Sequence, residues 1–115
     1  MKDFDDASEN KQLDELHKLE EEQLVAMLAE SKYDLPYIDL YRIGIDNEAL
    51  RTIPEKDAIE MRVAPFKLFG KNIYIAMRSP NDELKSKITE LLERQNLIPV
   101  FYMASSISIN KAWER

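Results

Sequence analysis

The chain has 115 residues, of which 44% are hydrophobic and 33% are charged. This mixture is typical of one folded domain and argues against disorder along the whole chain. The absence of cysteine and the single histidine, His17, exclude disulfides, thiolate metal sites and multi-histidine metal sites. No apolar run approaches the ~20 residues that a membrane span needs, and the first residues do not form a signal peptide, so we expect a cytoplasmic protein.

The formal net charge of −6 is concentrated at the start of the chain. Residues 1–34 carry 11 acidic and four basic side chains, a net −7, whereas residues 35–115 carry 11 acidic and 12 basic ones, a net +1. An acidic chain repels phosphate backbones, so we expect no nucleic-acid binding. The acidic segment is either a solvated face or a surface that meets a basic partner.

The chain begins with a polar stretch that lacks periodicity. We expect residues 1–11 to be a flexible terminus, followed by a single domain over 12–115. A helix is predicted over 20–31, and it can continue from a weaker apolar pattern over 12–19. Its predicted apolar face consists of Leu24, Met27 and Leu28.

Three consecutive acidic residues, Glu20, Glu21 and Glu22, fall in the predicted first turn of this helix. Carboxylates are favoured there by the helix dipole. Adjacent helical side chains diverge, so the three do not converge on one cation. Pro36 ends the helix, because the residue before a proline, here Leu35, leaves the helical region.

Two short helices are predicted before the first strand. Asp46 can cap one over about 47–52. Pro54 breaks it and opens another over about 54–60. Between the long helix and these two, residues 37–40 read as a short extended piece.

A β-hairpin follows, with strands over 63–69 and 73–77 and a turn over 70–72. Pro65 confines the first strand to a sheet edge or to a strand start. In the second strand the apolar residues alternate with others in the period of two that a strand requires. These apolar residues are Ile73, Ile75 and Met77.

A helix is predicted over about 80–95, with Ser79 as its cap, Pro80 at its first position and Asp82 near its positive end. Asn96 ends it, and residues 98–103 form another strand. Ser105 or Ser106 then caps a last helix. The apolar face of the helix over 80–95 consists of Leu84, Ile88, Leu91 and Leu92. The apolar face of the last helix consists of Ile109, Ala112 and Trp113.

The order of these elements predicts a two-layer α+β fold. We expect a small, mainly antiparallel sheet with a β-hairpin, helices packed on one face, and an N-terminal helix.

No residue pattern predicts a catalytic, cofactor-binding or metal site. Only two glycines, Gly44 and Gly70, are present, which excludes a P-loop and a dinucleotide fingerprint. Asp39, Asp46 and Asp82 could act as a general acid or base, but capping explains Asp46 and Asp82 more simply.

Two aromatic residues fit either a core role or an interface role. Tyr41 and Trp113 are either core residues or anchors at a partner interface. Together with Glu20, Glu21 and Glu22, they are our candidate interface residues.

Several separated blocks resemble the N-terminal domain of the type II secretion and type IV pilus assembly ATPases. Residues 35–40 (LPYIDL) are similar to the family's LPFVDL element, and residues 75–82 resemble its VAMxDPxD element, with Ser79 in place of the usual aspartate. Further blocks lie at 45–50, 53–55, 63–68, 98–100 and 109–112. Within these blocks, the residues that we expect to have structural roles are Leu35, Pro36, Asp39, Asp46, Pro54, Met77, Pro80 and Asp82.

The resemblance implies a non-catalytic docking domain that ties a motor to the cytoplasmic domain of an inner-membrane platform protein. The Walker motifs of such ATPases belong to a core that follows this domain, and this sequence has none. A second branch of the family binds cyclic di-GMP through arginine- and glycine-rich motifs. The residues before Leu24 contain neither arginine nor glycine, so we expect no cyclic di-GMP binding and no cofactor.

Overall fold

The structure is a computed structural model that describes residues 19–114. Residues 19–28 form helix α1, which continues as a π-helical turn over Ala29–Tyr33. The other elements are α2 (Asn47–Leu50), α3 (Glu55–Met61), β1 (Val63–Phe69), β2 (Asn72–Met77), α4 (Asp82–Glu93), β3 (Ile98–Met103) and α5 (Ser106–Trp113). The predicted terminus over 1–11 and the weaker pattern over 12–18 lie outside the described residues.

The predicted hairpin is confirmed, and its turn is one residue tighter than expected. β1 and β2 pair antiparallel from Val63–Met77 to Phe69–Asn72, with a bulge between Pro65 and Lys67. Only two residues connect the strands, and Gly70 adopts φ 61°, a conformation that costs glycine little. Asn72 therefore belongs to β2 rather than to the turn.

The third strand joins the sheet in parallel. The strand order is β1-β2-β3, and Asn72 to Met77 pair in register with Ile98 to Met103. The 12-residue helix α4 lies between β2 and β3. A helical crossover of this length returns the chain to the same end of the sheet, which makes neighbouring strands parallel. The α+β class is confirmed, while the sheet combines one antiparallel and one parallel ladder.

Apolar residues cover both faces of the sheet. One face of β2 carries Ile73, Ile75 and Met77, which pack against Ile88 and Leu92 of α4. On the other face, Ala76 packs in a second cluster with Ile109 and Ala112 of α5. Helices therefore contact the sheet from both sides, so the expected two-layer arrangement with helices on one face was wrong. α4 and α5 each have an apolar face, and each covers a different face of the sheet.

The prolines of the sheet lie in its two outer strands. Pro65 is in β1 and Pro99 is in β3, and a proline lacks the N–H that a central strand must donate. Beyond β3, the predicted extended piece contributes an isolated parallel bridge between Tyr37 and Met103. Its backbone bonds are Ile38 N–H to the Met103 carbonyl, 2.9 Å, and Met103 N–H to the Pro36 carbonyl, 2.8 Å.

The start of α4 differs from the prediction. The cap is Asn81, whose side chain accepts the Leu84 amide at 2.8 Å, and the helix begins at Asp82. The predictions of Ser79 as the cap and of Pro80 as the first helical residue were therefore wrong, each by two positions toward the N-terminus. Pro80 is instead buried ahead of the helix. Serine and asparagine are both good caps, so the sequence pattern alone did not choose between them.

Other helix boundaries follow ordinary capping. Asp46 accepts the Glu48 amide at 2.9 Å and Ser105 accepts the Ser108 amide at 3.1 Å, as predicted. Pro54 precedes α3 as its cap residue. After α4, Asn96 adopts φ 58° and the Leu97 amide bonds the Leu92 carbonyl, which closes the helix as a Schellman motif.

Candidate protein-interaction surface

The N-terminal helical segment, residues 19–33, packs on the domain through a small apolar contact. We call this segment the arm. Val25 and Ala29 are buried against Met103, the last residue of β3. Asp34 ends the arm in the left-handed conformation, φ 50°, and the Leu35 amide bonds back to the Ala29 carbonyl at 2.9 Å.

The buried face of the arm is not the predicted one. We expected Leu24, Met27 and Leu28 to face the core, but Leu24 and Met27 are exposed and Leu28 is only partly buried. Leu24 and Val25 are adjacent, and adjacent helical side chains point about 100° apart. The predicted face has three large apolar side chains, whereas the buried face has one valine and one alanine, so the sequence pattern favoured the wrong face.

Glu21 joins the arm to α5. Its Oε1 atom accepts the Ser106 amide at 2.6 Å and lies 3.6 Å from Arg78 Nε. The Glu21 and Arg78 side chains are each 22% exposed. A carboxylate is favoured at this position because the first amides of a helix point outward with partial positive charge.

Glu22 makes a second polar contact. The Tyr37 hydroxyl donates a hydrogen bond to Glu22 Oε1. Burial, together with this hydrogen bond and the Glu22 charge, raises the pKa of Tyr37 above its ordinary value. Glu22 Oε2 is buried and has no hydrogen-bond partner among the described residues. Two of the three candidate acidic residues therefore make contacts within the chain, while Glu20 is exposed.

The opposite side of the arm exposes large apolar side chains. Leu19 is 54% exposed, Leu24 is 44% exposed and Met27 is 59% exposed. Glu20 and Glu30 are also exposed on this segment. We call Leu19, Leu24 and Met27 the exposed stripe. A helix that is apolar on two sides has more apolar surface than its contact with the domain buries.

The two aromatic candidates differ in burial. Trp113 donates its indole N–H to the Val63 carbonyl at 2.9 Å and packs against both core clusters. Tyr41 is 39% exposed. Burial, followed by the carboxylates of Glu114, Glu22 and Asp39, raises the pKa of Tyr41. The structure gives Trp113 a place in the core and leaves Tyr41 at the surface.

Asp39 has a local structural role. Its carboxylate accepts the Tyr41 amide at 3.0 Å and pairs with Arg42 at 3.4 Å. The first of these contacts is an Asx turn, which explains the aspartate without any acid–base chemistry. Asp46 and Asp82 lie at helix starts, as expected.

Sequence reasoning did not identify an open groove beside the sheet. Phe66, Tyr74 and Tyr102 contact one another with ring centroids 5.5–6.3 Å apart. They line a groove of about 650 Å³ together with Ile38, Ile43, Gly44, Ile45, Asp46, Lys67 and Leu68. The sequence signal that could have revealed it is the alternation of Tyr74 and Tyr102 with core residues, because alternate residues of a strand lie on the same face of the sheet.

Within residues 19–114, no helix is both long and apolar enough to cross a membrane. The same part of the chain contains no group of three or more His, Cys, Asp or Glu side chains that could hold a metal ion.

Comparison with known proteins finds one matching domain family and similar solved structures. The model of the MshEN domain family matches residues 33–115. A structure of MshE with cdg, cyclic di-GMP, is similar at a TM-score of 0.70 and 28% identity, over 81% of this chain and 66% of that one. The N-terminal domain of XpsE is similar in fold at a TM-score of 0.61 and 13% identity, over 85% of this chain and 65% of that one.

This chain therefore spans just under two thirds of the length of either matched chain. No curated protein matches the sequence. The family match covers most of the chain and begins where the arm ends. The chain thus belongs to the MshEN domain family and has the fold of the N-terminal domains of type II secretion and type IV pilus ATPases.

Proposed function

We propose that this chain is a docking domain of a type II secretion or type IV pilus assembly ATPase. It would tether the motor to the cytoplasmic domain of an inner-membrane platform protein. The domain itself would stay in the cytoplasm and reach the membrane through that partner. The N-terminal domain of this ATPase family is not its catalytic domain, and hydrolysis would belong to the ATPase core of the parent protein.

The exposed stripe of the arm is the observation that supports this proposal. Three large apolar side chains on one described helix are exposed while its opposite side packs on the domain. Apolar residues flanked by carboxylates suit a partner groove with an apolar floor and a basic rim. The exposed Glu20 and Glu30 would then meet that rim and orient the complex.

A pull-down with the cytoplasmic domain of the platform protein from the same system tests the proposal. The full chain carrying Leu24→Asp and Met27→Asp should bind about tenfold more weakly or worse, since interface centres tolerate charges poorly. Ile59→Asp is the matched control, because Ile59 is 50% exposed but lies in α3. Equal binding by the double variant and wild type would contradict the proposal.

A charge reversal tests the contribution of the acidic residues to binding separately from that of the apolar ones. Glu20→Lys should weaken binding by about two- to fivefold and make it less sensitive to salt. Unchanged affinity would remove Glu20 from the interface while leaving the exposed stripe under test.

Cyclic di-GMP binding is the second candidate, and the similarity to MshE, solved with cdg, favours it. Phosphates need free cations or backbone amides. In this chain Glu21 already pairs with Arg78 and with the Ser106 amide, and residues 1–23 contain no arginine or glycine. Titration calorimetry of the full chain with cyclic di-GMP should therefore give no heat. Micromolar binding would establish the nucleotide receptor as the better assignment.

A further inference from the structure

We infer that Glu21 couples docking of the arm to ordering of the first turn of α5, so that this turn loosens when the arm undocks while the sheet core stays folded. The carboxylate of Glu21 acts as a helix cap supplied from 85 residues away in sequence. This role is internal to the chain and does not depend on what the exposed stripe binds.

The first turn of α5 is capped from two sources. Ser105 Oγ accepts the Ser108 amide at 3.1 Å, whereas the Ser106 amide bonds Glu21 Oε1 at 2.6 Å. A helix start has four amides without intrahelical partners, and each one that is buried must find an acceptor. Undocking the arm therefore takes an acceptor away from α5.

The same movement leaves a cation without its partner. Arg78 directly follows β2, is only 22% exposed, and has Glu21 Oε1 at 3.6 Å. Removing one member of a partly buried charge pair costs more than the pair contributes, because the other charge stays desolvated. Arg78 and α5 thus both favour the docked arm.

The apolar contact of the arm with the domain is small. Among the described residues, three buried side chains, Val25, Ala29 and Met103, form its centre with four partly buried ones around them, whereas nine buried residues form the cluster beneath α4. The match to the family model begins at residue 33 and so does not include residues 19–32 of the arm. Its junction with the domain is Asp34, which ends the arm in the left-handed conformation. A segment with few buried contacts opens at low cost compared with a core.

From α5 the coupling extends further into the domain. The Ser108 hydroxyl accepts the Leu40 amide at 3.1 Å, and Trp113 bonds the Val63 carbonyl. Ordering of the first turn of α5 therefore supports residues 38–41 through Ser108, whereas the last residue of the helix contacts the outer strand β1. A ligand that binds only the docked arm would stabilise α5 by linkage.

Hydrogen–deuterium exchange on the full chain tests the coupling. In Glu21→Ala, amides of residues 22–33 and of the first turn of α5 should exchange about tenfold faster or more, as expected for loss of a charged hydrogen bond. Amides of β2 should be unchanged. Glu20→Ala is the matched control, because it makes the same substitution one position earlier at an exposed residue.

Ser106→Pro tests the contact from the other side. Ser106 is the first residue of α5, where a proline is tolerated and where its missing N–H removes only the donor to Glu21. Ser105 is already extended, φ −72° and ψ 156°, as a residue before proline must be. This variant should accelerate exchange in the arm by a smaller factor than Glu21→Ala, because the pair of Glu21 with Arg78 remains, while α5 stays helical.

The double variant completes the cycle. In Glu21→Ala combined with Ser106→Pro, the arm should exchange no faster than in Glu21→Ala alone, because loss of the carboxylate already removes the Ser106 contact as well as the Arg78 pair. Additive effects, equal exchange in Glu21→Ala and Glu20→Ala, or acceleration that includes β2 would each overturn the inference.

Discussion

The sheet core and the arm use apolar residues in different ways. In β2 the alternate residues Ile73, Ile75 and Met77 are all buried on one face, and α4 covers them. In the arm, buried Val25 lies next to exposed Leu24 along the chain. The core thus satisfies its pattern within the domain, whereas the arm keeps apolar surface that the domain does not cover. The difference teaches that apolar residues left exposed after packing show where a partner surface should be sought.

The largest effect is expected in the core. Ile75→Ala should lower the free energy of unfolding by about 2–5 kcal/mol, because it leaves a cavity in a fully buried cluster. Urea denaturation followed by circular dichroism measures the change. Ile59→Ala, at a residue that is 50% exposed, should cost much less. Equal losses would contradict the assignment of Ile75 to the core.

The arm should respond locally rather than globally. Val25→Ala removes two buried methyl groups and should weaken arm docking by about 1–2 kcal/mol. Exchange in residues 22–33 should rise, while the urea midpoint of the sheet core should move little. A loss of core stability as large as that of Ile75→Ala would show that the arm and core are one cooperative unit.

The corrected cap of α4 gives an intermediate test. Asn81→Ala should destabilise the domain by about 1 kcal/mol, because the Leu84 amide loses its acceptor. Ser79→Ala is the matched control and should change stability by less than about 0.5 kcal/mol. The reverse order of effects would restore Ser79 as the cap.

The smallest effect is a dependence on alkaline pH. Burial and the Glu22 contact raise the pKa of Tyr37 above 10.0, so the folded chain holds this proton more tightly than the unfolded chain. The resulting stabilisation is complete below pH 10 and is lost as the pH rises beyond it. Urea midpoints measured from pH 8 to 11 should fall less steeply in Tyr37→Phe than in wild type. Parallel curves would remove Tyr37 from the alkaline response.

Local sequence signals predicted the strands better than the helix starts. The bounds of β1 and β3 were predicted to the residue, because period-two patterns flanked by turn residues leave few alternatives. The start of α4 was not predicted correctly, because Ser79 and Asn81 are both good caps and the local sequence does not choose between them. The parallel pairing of β3 followed from the helical crossover, which the sequence analysis did not weigh.

The candidate interface was only partly accessible from the sequence. The acidic run was correctly placed on a helix, but nothing local revealed that Glu21 contacts Ser106 or that Glu22 contacts Tyr37. Such contacts join residues far apart in the chain. They depend on how the arm meets α5, and a periodic pattern carries no information about that.

The sequence by itself determined the α+β class, the hairpin, the two amphipathic helices and the family resemblance, because each arises from spacing within a short window. Tertiary structure alone decided which face of the arm is buried, how β3 pairs, and which carboxylates are free. Those outcomes depend on distant partners: Met103 offers a surface to Val25 and Ala29, and that choice turns Leu24 and Met27 toward solvent.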